Sequence, residues 1–271
     1  MRRAKKPSPL VLLPLFAASA AAAQTPPNTV FLEALTVVEI RELLEAGHTT
    51  AIVATAGTEQ KGPHMVMGEH RYVLEYTTDK IARALGNALV APIITYVPEG
   101  NLDPPSGHMR FPGTITVSQE VFQTLLEEAA RSLAGGGFTD VVFLGDSGGN
   151  QDGMQAVTEK LNAEWGDAGA RAHFIGDYYE KSGDDATRYI TRELGIAEEE
   201  IGGHAGITDT SQMMYVNPLH IRSDKLARLG GFEGSGVSGN PTLASPEIGK
   251  RLLEIKIDNA LAQIRASLAA R

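Results

Sequence analysis

The sequence contains one continuous apolar run, Asp140-Val141-Val142-Phe143-Leu144, which passes directly into the glycine-rich turn Gly145-Asp146-Ser147-Gly148-Gly149-Asn150. A strand without polar alternation is covered on both faces, as strands of parallel sheets are. The segment after the turn has the pattern of a helix and extends to about Trp165. The order of strand, tight turn and helix therefore predicts the centre of an α/β fold.

The rest of the chain repeats this alternation of short β-branched runs and longer amphipathic stretches. Further strands are predicted at Thr50–Thr55, Leu89–Val97 and Ala172–Gly176. Further helices are predicted at about 36–46, 70–85, 118–135 and from Ser245-Pro246 onwards. We found no repeat or domain linker. We therefore expect one domain, a three-layer α/β/α sandwich with a mostly parallel, doubly wound sheet, and a site at the carboxyl ends of its strands.

Composition excludes several classes of protein. The chain has 271 residues, 42% of them hydrophobic and 21% charged, which excludes a disordered or fibrous protein. Cysteine is absent, so disulfides, thiolate catalysis and Cys-ligated metals are excluded, and any metal ligands must come from His, Asp and Glu. The formal net charge of −9 gives no basic footprint for nucleic acid.

Residues 1–23 have the pattern of a secretory signal peptide. Four basic residues precede the apolar stretch Leu10–Ala20, and Ala21-Ala22-Ala23 provides a cleavage site of the A-x-A type. This stretch is shorter than the ~20 residues of a membrane-spanning helix. We expect cleavage near Ala23-Gln24, a mature domain of residues 24–271 with a net charge of −13, a periplasmic or secreted location and no membrane attachment.

Three polar loops follow predicted strands or flank the expected edge of the sheet. The segment Thr58–His70 concentrates carboxylates, imidazoles and a lysine, Gly145–Asn150 allows close approach to the backbone, and Gly202–Ser211 presents His204 and Asp209. Each loop alone is also explained as an ordinary polar loop, a capped turn or a packed histidine. Their common position predicts that they form one site.

Four motifs in these regions resemble the creatininase family, the creatinine amidohydrolases. The family's E-Q-H-G-P-H-L-P-L-G-T-D pattern corresponds to Glu59–His70, S-x-x-H-x-x-F-P-G-T to the segment ending Phe111-Pro112-Gly113-Thr114, N-G-H-G-G-N to Gly145–Asn150, and H-A-G-x-x-E-T-S to His204–Ser211. The resemblance implies an α/β/α sandwich, often a hexamer, with a zinc or manganese pair that hydrolyses cyclic or linear amide C–N bonds.

The implied metal ligands are altered in this sequence. Glu59 is kept and His204, a proton-transfer residue in the family, is kept as well. Lys61 replaces a His ligand, His70 the bridging Asp, Ser147 a His and Asp209 a Glu. Because a dinuclear site needs bridging oxygen ligands, we expect one zinc or manganese ion rather than two.

The resulting hypothesis assigns a role to each candidate residue. The ion is held by Glu59, His70 and Asp146 or Asp209, with the Lys61 ammonium near the place of the second ion. His204 transfers a proton, and Lys61 with the Gly148 and Gly149 amides stabilises the oxyanion of a small amide substrate. The expected substrate contacts are His108, Asn150 and Tyr178 or Tyr179, and His64 is expected to have a structural role.

Two other functions remain open from the sequence. Gly145–Gly149 also fits the G-x-S-x-G elbow of a serine hydrolase, with Ser147 as nucleophile and Asp177 or Asp209 and His204 or His220 as partners. The altered ligand positions also fit a periplasmic protein that binds a small ligand without catalysis. We expect the protein to be a homo-oligomer, with a hexamer as the form that the family resemblance implies.

Overall fold

A four-stranded parallel sheet lies at the centre of the computed structural model, which describes residues 28–167, 169–228 and 234–270. The strands are β1 (Thr50–Thr55), β2 (Ala88–Val90), β3 (Asp140–Gly145) and β4 (Arg171–Phe174), in the spatial order β2-β1-β3-β4. The signal-peptide prediction falls on residues 1–23, outside the described residues.

Helices precede, connect and follow these parallel strands. They are α1 (Val37–Glu45), α2 (Glu69–Leu85), α3 (Gln119–Gly135), α4 (Gln151–Trp165), α5 (Glu180–Arg188), α6 (Glu198–Ile201), α7 (Ile207–Val216), α8 (Ser223–Arg228) and α9 (Pro246–Ala269). In the part of the chain that the structure describes, none of the helices is both long and apolar enough to cross a bilayer.

The sheet is covered on both faces because successive side chains of a strand point to opposite sides. Ile52 and Ala54 of β1 belong to a core shared with α2 and α9, where Leu74 and Ile81 are fully buried. Val53 belongs to the opposite core, which includes apolar side chains of α3 and α4. The predicted α/β/α sandwich is therefore confirmed.

Strand β2 is shorter than the predicted Leu89–Val97 and ends at Val90. Pro92 lies just beyond its end and has no N–H for a sheet ladder. The chain then stays near the end of β1, where the Ala56 N–H donates to the Ile94 carbonyl. The prediction was right about the position of a strand and wrong about its length.

The register of β1 and β3 determines where the site lies. Thr50 is paired with Asp140 and Thr55 with Gly145, so the two strands end at the same level. The loop that carries Glu59 therefore starts beside the loop that carries Asp146. The Asp146 N–H donates to the Thr55 carbonyl, which fixes the two loops to each other.

Candidate active site

Lys61 is a buried lysine at the centre of a cluster of carboxylates. Its side chain is 1% exposed, and its Nζ lies 3.0 Å from Glu59 Oε1, 3.0 Å from Asp209 Oδ2 and 3.2 Å from Glu69 Oε2. Burial acts to lower the pKa of Lys61, but these three carboxylates raise it well above its usual value. The three hydrogens of the ammonium therefore have three carboxylate neighbours.

His70, in the first turn of α2, carries a second buried positive charge. Its Nε2 lies 2.8 Å from Glu59 Oε1 and its Nδ1 lies 3.3 Å from Asp146 Oδ2. A carboxylate accepts hydrogen bonds, so both ring nitrogens donate and the ring is an imidazolium. Burial acts to lower the pKa of His70, but the surrounding carboxylates raise it to about 10.

Lys256 supplies a third positive charge from α9. Its Nζ forms an ion pair with Asp146 Oδ1 and lies 5.1 Å from the centre of the Tyr178 ring. Burial acts to raise the pKa of Asp146, but Lys256 and His70 hold it below its usual value. The cluster thus combines three side-chain cations with four carboxylates: Glu59, Glu69, Asp146 and Asp209.

A second group, formed by Glu59, His108 and His204, lies on the other side of Glu59. His108 Nε2 is 3.0 Å from Glu59 Oε2, and His204 Nδ1 is 3.7 Å from Glu59 Oε1. Burial lowers the pKa of His108, and burial together with Lys61 lowers that of His204 to about 4. Both rings are therefore neutral at pH 7.

Gln60 determines which nitrogen of each neutral ring carries the proton. Its carbonyl oxygen lies 2.7 Å from His204 Nε2, so Nε2 donates and the lone pair is on Nδ1, facing Glu59. Its side-chain Nε2 lies 3.2 Å from His108 Nδ1 and donates to the Gly236 carbonyl, while its Oε1 accepts from the Gly62 N–H. This orientation places the His108 proton on Nε2, where it is donated to Glu59.

Two contacts, made by His64 and by Asp209, support the loops themselves. His64 is fully buried, and its Nε2 lies 2.9 Å from the Thr210 hydroxyl of α7, as expected for a structural residue. Ala205 has a left-handed backbone, with φ of 51°, and its N–H donates to Asp209 Oδ2. Asp209 therefore fixes the turn that carries His204 as well as pairing with Lys61.

Residues of both groups line a cavity of about 720 Å³, within the usual range of ligand-binding pockets. Ten of the twelve predicted site residues line it: Glu59, Lys61, His70, His108, Asp146, Ser147, Gly148, Gly149, His204 and Asp209. The expectation that three loops meet at the carboxyl ends of the strands agrees with this geometry. The roles assigned to these residues remain predictions.

Two predicted substrate contacts, Tyr178 and Asn150, are directed into the protein interior. The Tyr178 hydroxyl lies 2.9 Å from the Thr77 hydroxyl, and Asn150 donates to the Ala56 carbonyl at 3.0 Å; both residues are fully buried. Neither lines the cavity, so neither prediction agrees with the structure. Tyr179, the alternative to Tyr178, does line it.

The predicted metal ligands His70, Asp146 and Asp209 have other charged partners in this structure, and their role as ligands stays a prediction. Both nitrogens of His70 donate to carboxylates, so this ring has no lone pair for an ion. Asp146 is paired with Lys256, and Asp209 is paired with Lys61. The hydrogens of Lys61 are likewise directed to carboxylates, which leaves no donor for an oxyanion.

The serine-hydrolase reading receives no support from the geometry. Ser147 has ordinary extended backbone angles, φ −129° and ψ 142°, rather than a strained elbow. His204 Nε2 is bound to the Gln60 carbonyl and His220 Nε2 lies beside Asn217. Among the described residues, no histidine is hydrogen-bonded to the Ser147 hydroxyl.

Sequence reasoning missed Glu99, a buried carboxyl group that lines the cavity. Burial and the negative charge of Glu59 raise its pKa to about 9, so it is protonated at pH 7. Its Oε1 has no hydrogen-bond partner among the described residues. The one signal in the sequence was its position in the long loop 98–112, since long loops in compact domains are usually functional.

A family model and curated proteins from mycobacteria match most of this chain. A family model described as "Creatininase: Creatinine amidohydrolase" matches residues 33–264. The chain is 28% identical over 247 residues to a mycofactocin precursor peptide peptidase of Mycobacterium ulcerans (strain Agy99), covering 79% of this chain and 83% of that protein. It is 25% identical over 236 residues to the protein of the same name from Mycolicibacterium smegmatis, with the same coverage.

Solved structures show the same fold. A crystal structure of creatinine amidohydrolase matches with a TM-score of 0.72 and 21% identity, over 89% of this chain and 98% of that one. A putative creatinine amidohydrolase from Bacteroides fragilis NCTC 9343 matches with a TM-score of 0.66 and 19% identity, over 87% and 95%. Other matching creatininase structures are described as a manganese form and a Zn-Zn type.

Proposed function

Because this chain belongs to the creatininase family, we propose that it hydrolyses a C–N amide bond of a small cyclic or linear amide bound above Glu59. The observation that carries the proposal is the group of Glu59, His108 and His204 on the floor of the cavity. One carboxylate with two imidazoles is a ligand set of catalytic zinc sites.

These three residues fit one divalent ion, zinc or manganese. Their ligand atoms all lie within 4.8 Å of one another, and both rings are neutral. His204 presents its lone pair at Nδ1, whereas His108 must move its proton from Nε2 to Nδ1 to bind. When bound, such an ion lowers the pKa of a water ligand from ~15.7 toward ~7.

The chain's own groups then supply proton transfer and orientation. His204 Nε2–H is held by the Gln60 carbonyl, and Nδ1 is the atom that faces the ion site. We therefore assign proton exchange with the substrate to Glu99, a buried cavity carboxyl without a cation partner among the described residues. The backbone of Gly148 and Gly149 lines the same cavity and provides N–H groups for the carbonyl oxygen.

The size of the substrate is a separate question. A cavity of about 720 Å³ exceeds what a small cyclic amide fills, and it admits a short linear amide such as the end of a peptide. The relatives from mycobacteria are named as peptidases of a precursor peptide. This supports testing linear peptides alongside cyclic amides.

The test is hydrolysis by purified residues 24–271 loaded with zinc or manganese, against creatinine, other lactams and short peptides. Glu59→Gln should abolish hydrolysis, whereas Glu159→Gln, an identical change on the exposed face of α4, should leave it unchanged. Absence of hydrolysis with every amide, together with retained binding of a small ligand, would favour the non-catalytic alternative.

We also propose that residues 24–271 act after export, as a homo-oligomer. The support is the signal-peptide pattern of the first 23 residues and the oligomeric assembly that the resemblance to the creatininase family implies. Detection of a mature N-terminus at Gln24 in a periplasmic or secreted fraction would test export, and light scattering would test assembly.

A further inference from the structure

We propose that the Lys61 ammonium permanently takes the place of a second metal ion, so that this site excludes a pair of metal ions. The inference rests on the proposed function only in placing the single ion between Glu59, His108 and His204.

The first argument is the arrangement of oxygen atoms around Lys61. Glu59, Asp209 and Glu69 each place an oxygen 3.0–3.2 Å from its Nζ. Carboxylates converging from three sides on one buried point are what a metal ion needs as well, but the ammonium already lies there. Its stem reaches this point through the interior, with 1% of the side chain exposed.

The second argument is that the neighbouring carboxylates have cations of their own. His70 donates from both ring nitrogens, and Lys256 pairs with Asp146. The group of Glu69, His70 and Asp146 has the spacing of a metal site, yet its members are already occupied by these contacts. A metal ion there would have to displace a lysine and deprotonate a histidine.

The third argument is the charge of the whole cluster. With all four acidic side chains ionised, four carboxylates against three side-chain cations leave one negative charge unmatched. Asp146 and Asp209 also line the cavity but are paired with Lys256 and Lys61. Glu59 is the carboxylate that also faces His108 and His204. One dication beside Glu59 leaves the cluster with a single positive charge. Two dications would leave it with three, in a low-dielectric interior where unmatched charge is costly.

The experiment counts metal ions on the metal-free mature protein titrated with zinc chloride, by calorimetry and by elemental analysis after dialysis. We expect Lys61→His to bind one equivalent more than the wild type, and Lys61→His/His70→Asp to bind it at least about 100-fold more tightly than the wild type binds any second ion. Lys61→Arg keeps the charge and is the matched control, which should bind as many ions as the wild type.

The outcomes separate this inference from the proposed function. A wild type without bound zinc, together with one equivalent gained by Lys61→His, would overturn the single-ion function and support the role of Lys61. Two tightly bound equivalents in the wild type would overturn the inference and leave amide hydrolysis standing. A folded Lys61→His protein that binds no more zinc than the wild type would also overturn the inference. If this variant does not fold, the number of zinc ions bound by the wild type tests the inference alone.

Discussion

Replacement of Lys61 by methionine tests the energetic role of the buried ammonium directly. Methionine keeps most of the apolar stem of lysine and removes its charge, so Glu59, Glu69 and Asp209 lose a common cation at 3.0–3.2 Å. Removing one partner of a buried ion pair destabilises a protein by roughly 3–5 kcal/mol. We expect about 4 kcal/mol, a large part of the ~5–15 kcal/mol that stabilises a typical domain.

The loss should depend on pH in a defined direction. In the wild type, Lys61 helps to hold the pKa values of Glu59 and Asp209 below their usual range, so this stabilisation is present above their unfolded-state pKa values and is lost in acid. In Lys61→Met the orphaned carboxylates have raised pKa values, which favours the folded state only at low pH. The difference in unfolding free energy between variant and wild type should therefore be larger at pH 8 than at pH 5.

The assay is urea unfolding of the metal-free mature proteins at both pH values. Lys160→Met is the matched control, since Lys160 Nζ lies 2.8 Å from Glu127 but its side chain is 54% exposed. Exposed pairs contribute ~0–1 kcal/mol. A loss for Lys61→Met no larger than that of the control at pH 8 would refute the electrostatic reasoning.

Three further changes address the cavity. Glu99→Gln should have the unfolding free energy of the wild type near pH 4.5 and a larger one at pH 8. The reason is that the pKa of Glu99 is raised to about 9, so the wild type loses stability as the pH rises from 4.5 to about 9. Urea unfolding at both pH values measures this difference. Gln60→Glu should bind zinc roughly 10–100-fold more tightly than the wild type, as measured by calorimetry. When His108 binds the ion through Nε2, its proton is on Nδ1, and the carboxylate of the substituted side chain accepts a hydrogen bond from it. Ser147→Ala should retain activity within about 10-fold of the wild type in the amide assay, whereas loss of a true nucleophile costs ~10⁶-fold in kcat.

The sequence was sufficient for the elements that carry continuous apolar runs. Strands β1 and β3 and the three loops beyond the sheet's carboxyl edge follow from residue patterns alone. Tyr178 and Tyr179 could not be distinguished, because a short 3-10 turn at Gly176–Tyr178 decides which ring faces the cavity.

Two charged residues of the site, Lys256 and Glu69, could not be recognised from local sequence patterns. Lys256 lies within an ordinary amphipathic helix, and it meets Asp146 across 110 positions of sequence only because α9 packs beside α2 at the sheet. Glu69 lies in a motif that was recognised, but an acidic residue in the first turn of a helix is usually explained by the helix dipole. Burial, which no local pattern reports, gives both residues their role.

The three side-chain cations also affect how the folding of the site depends on a metal ion. Four clustered carboxylates, three of them buried, fold only if positive charge is supplied, and where metal ions supply it, folding depends on the metal. Here the side chains of Lys61, His70 and Lys256 supply the positive charge. The charge of the site is thereby largely balanced without a bound ion, and the ion proposed beside Glu59 would have a chemical role rather than a structural one.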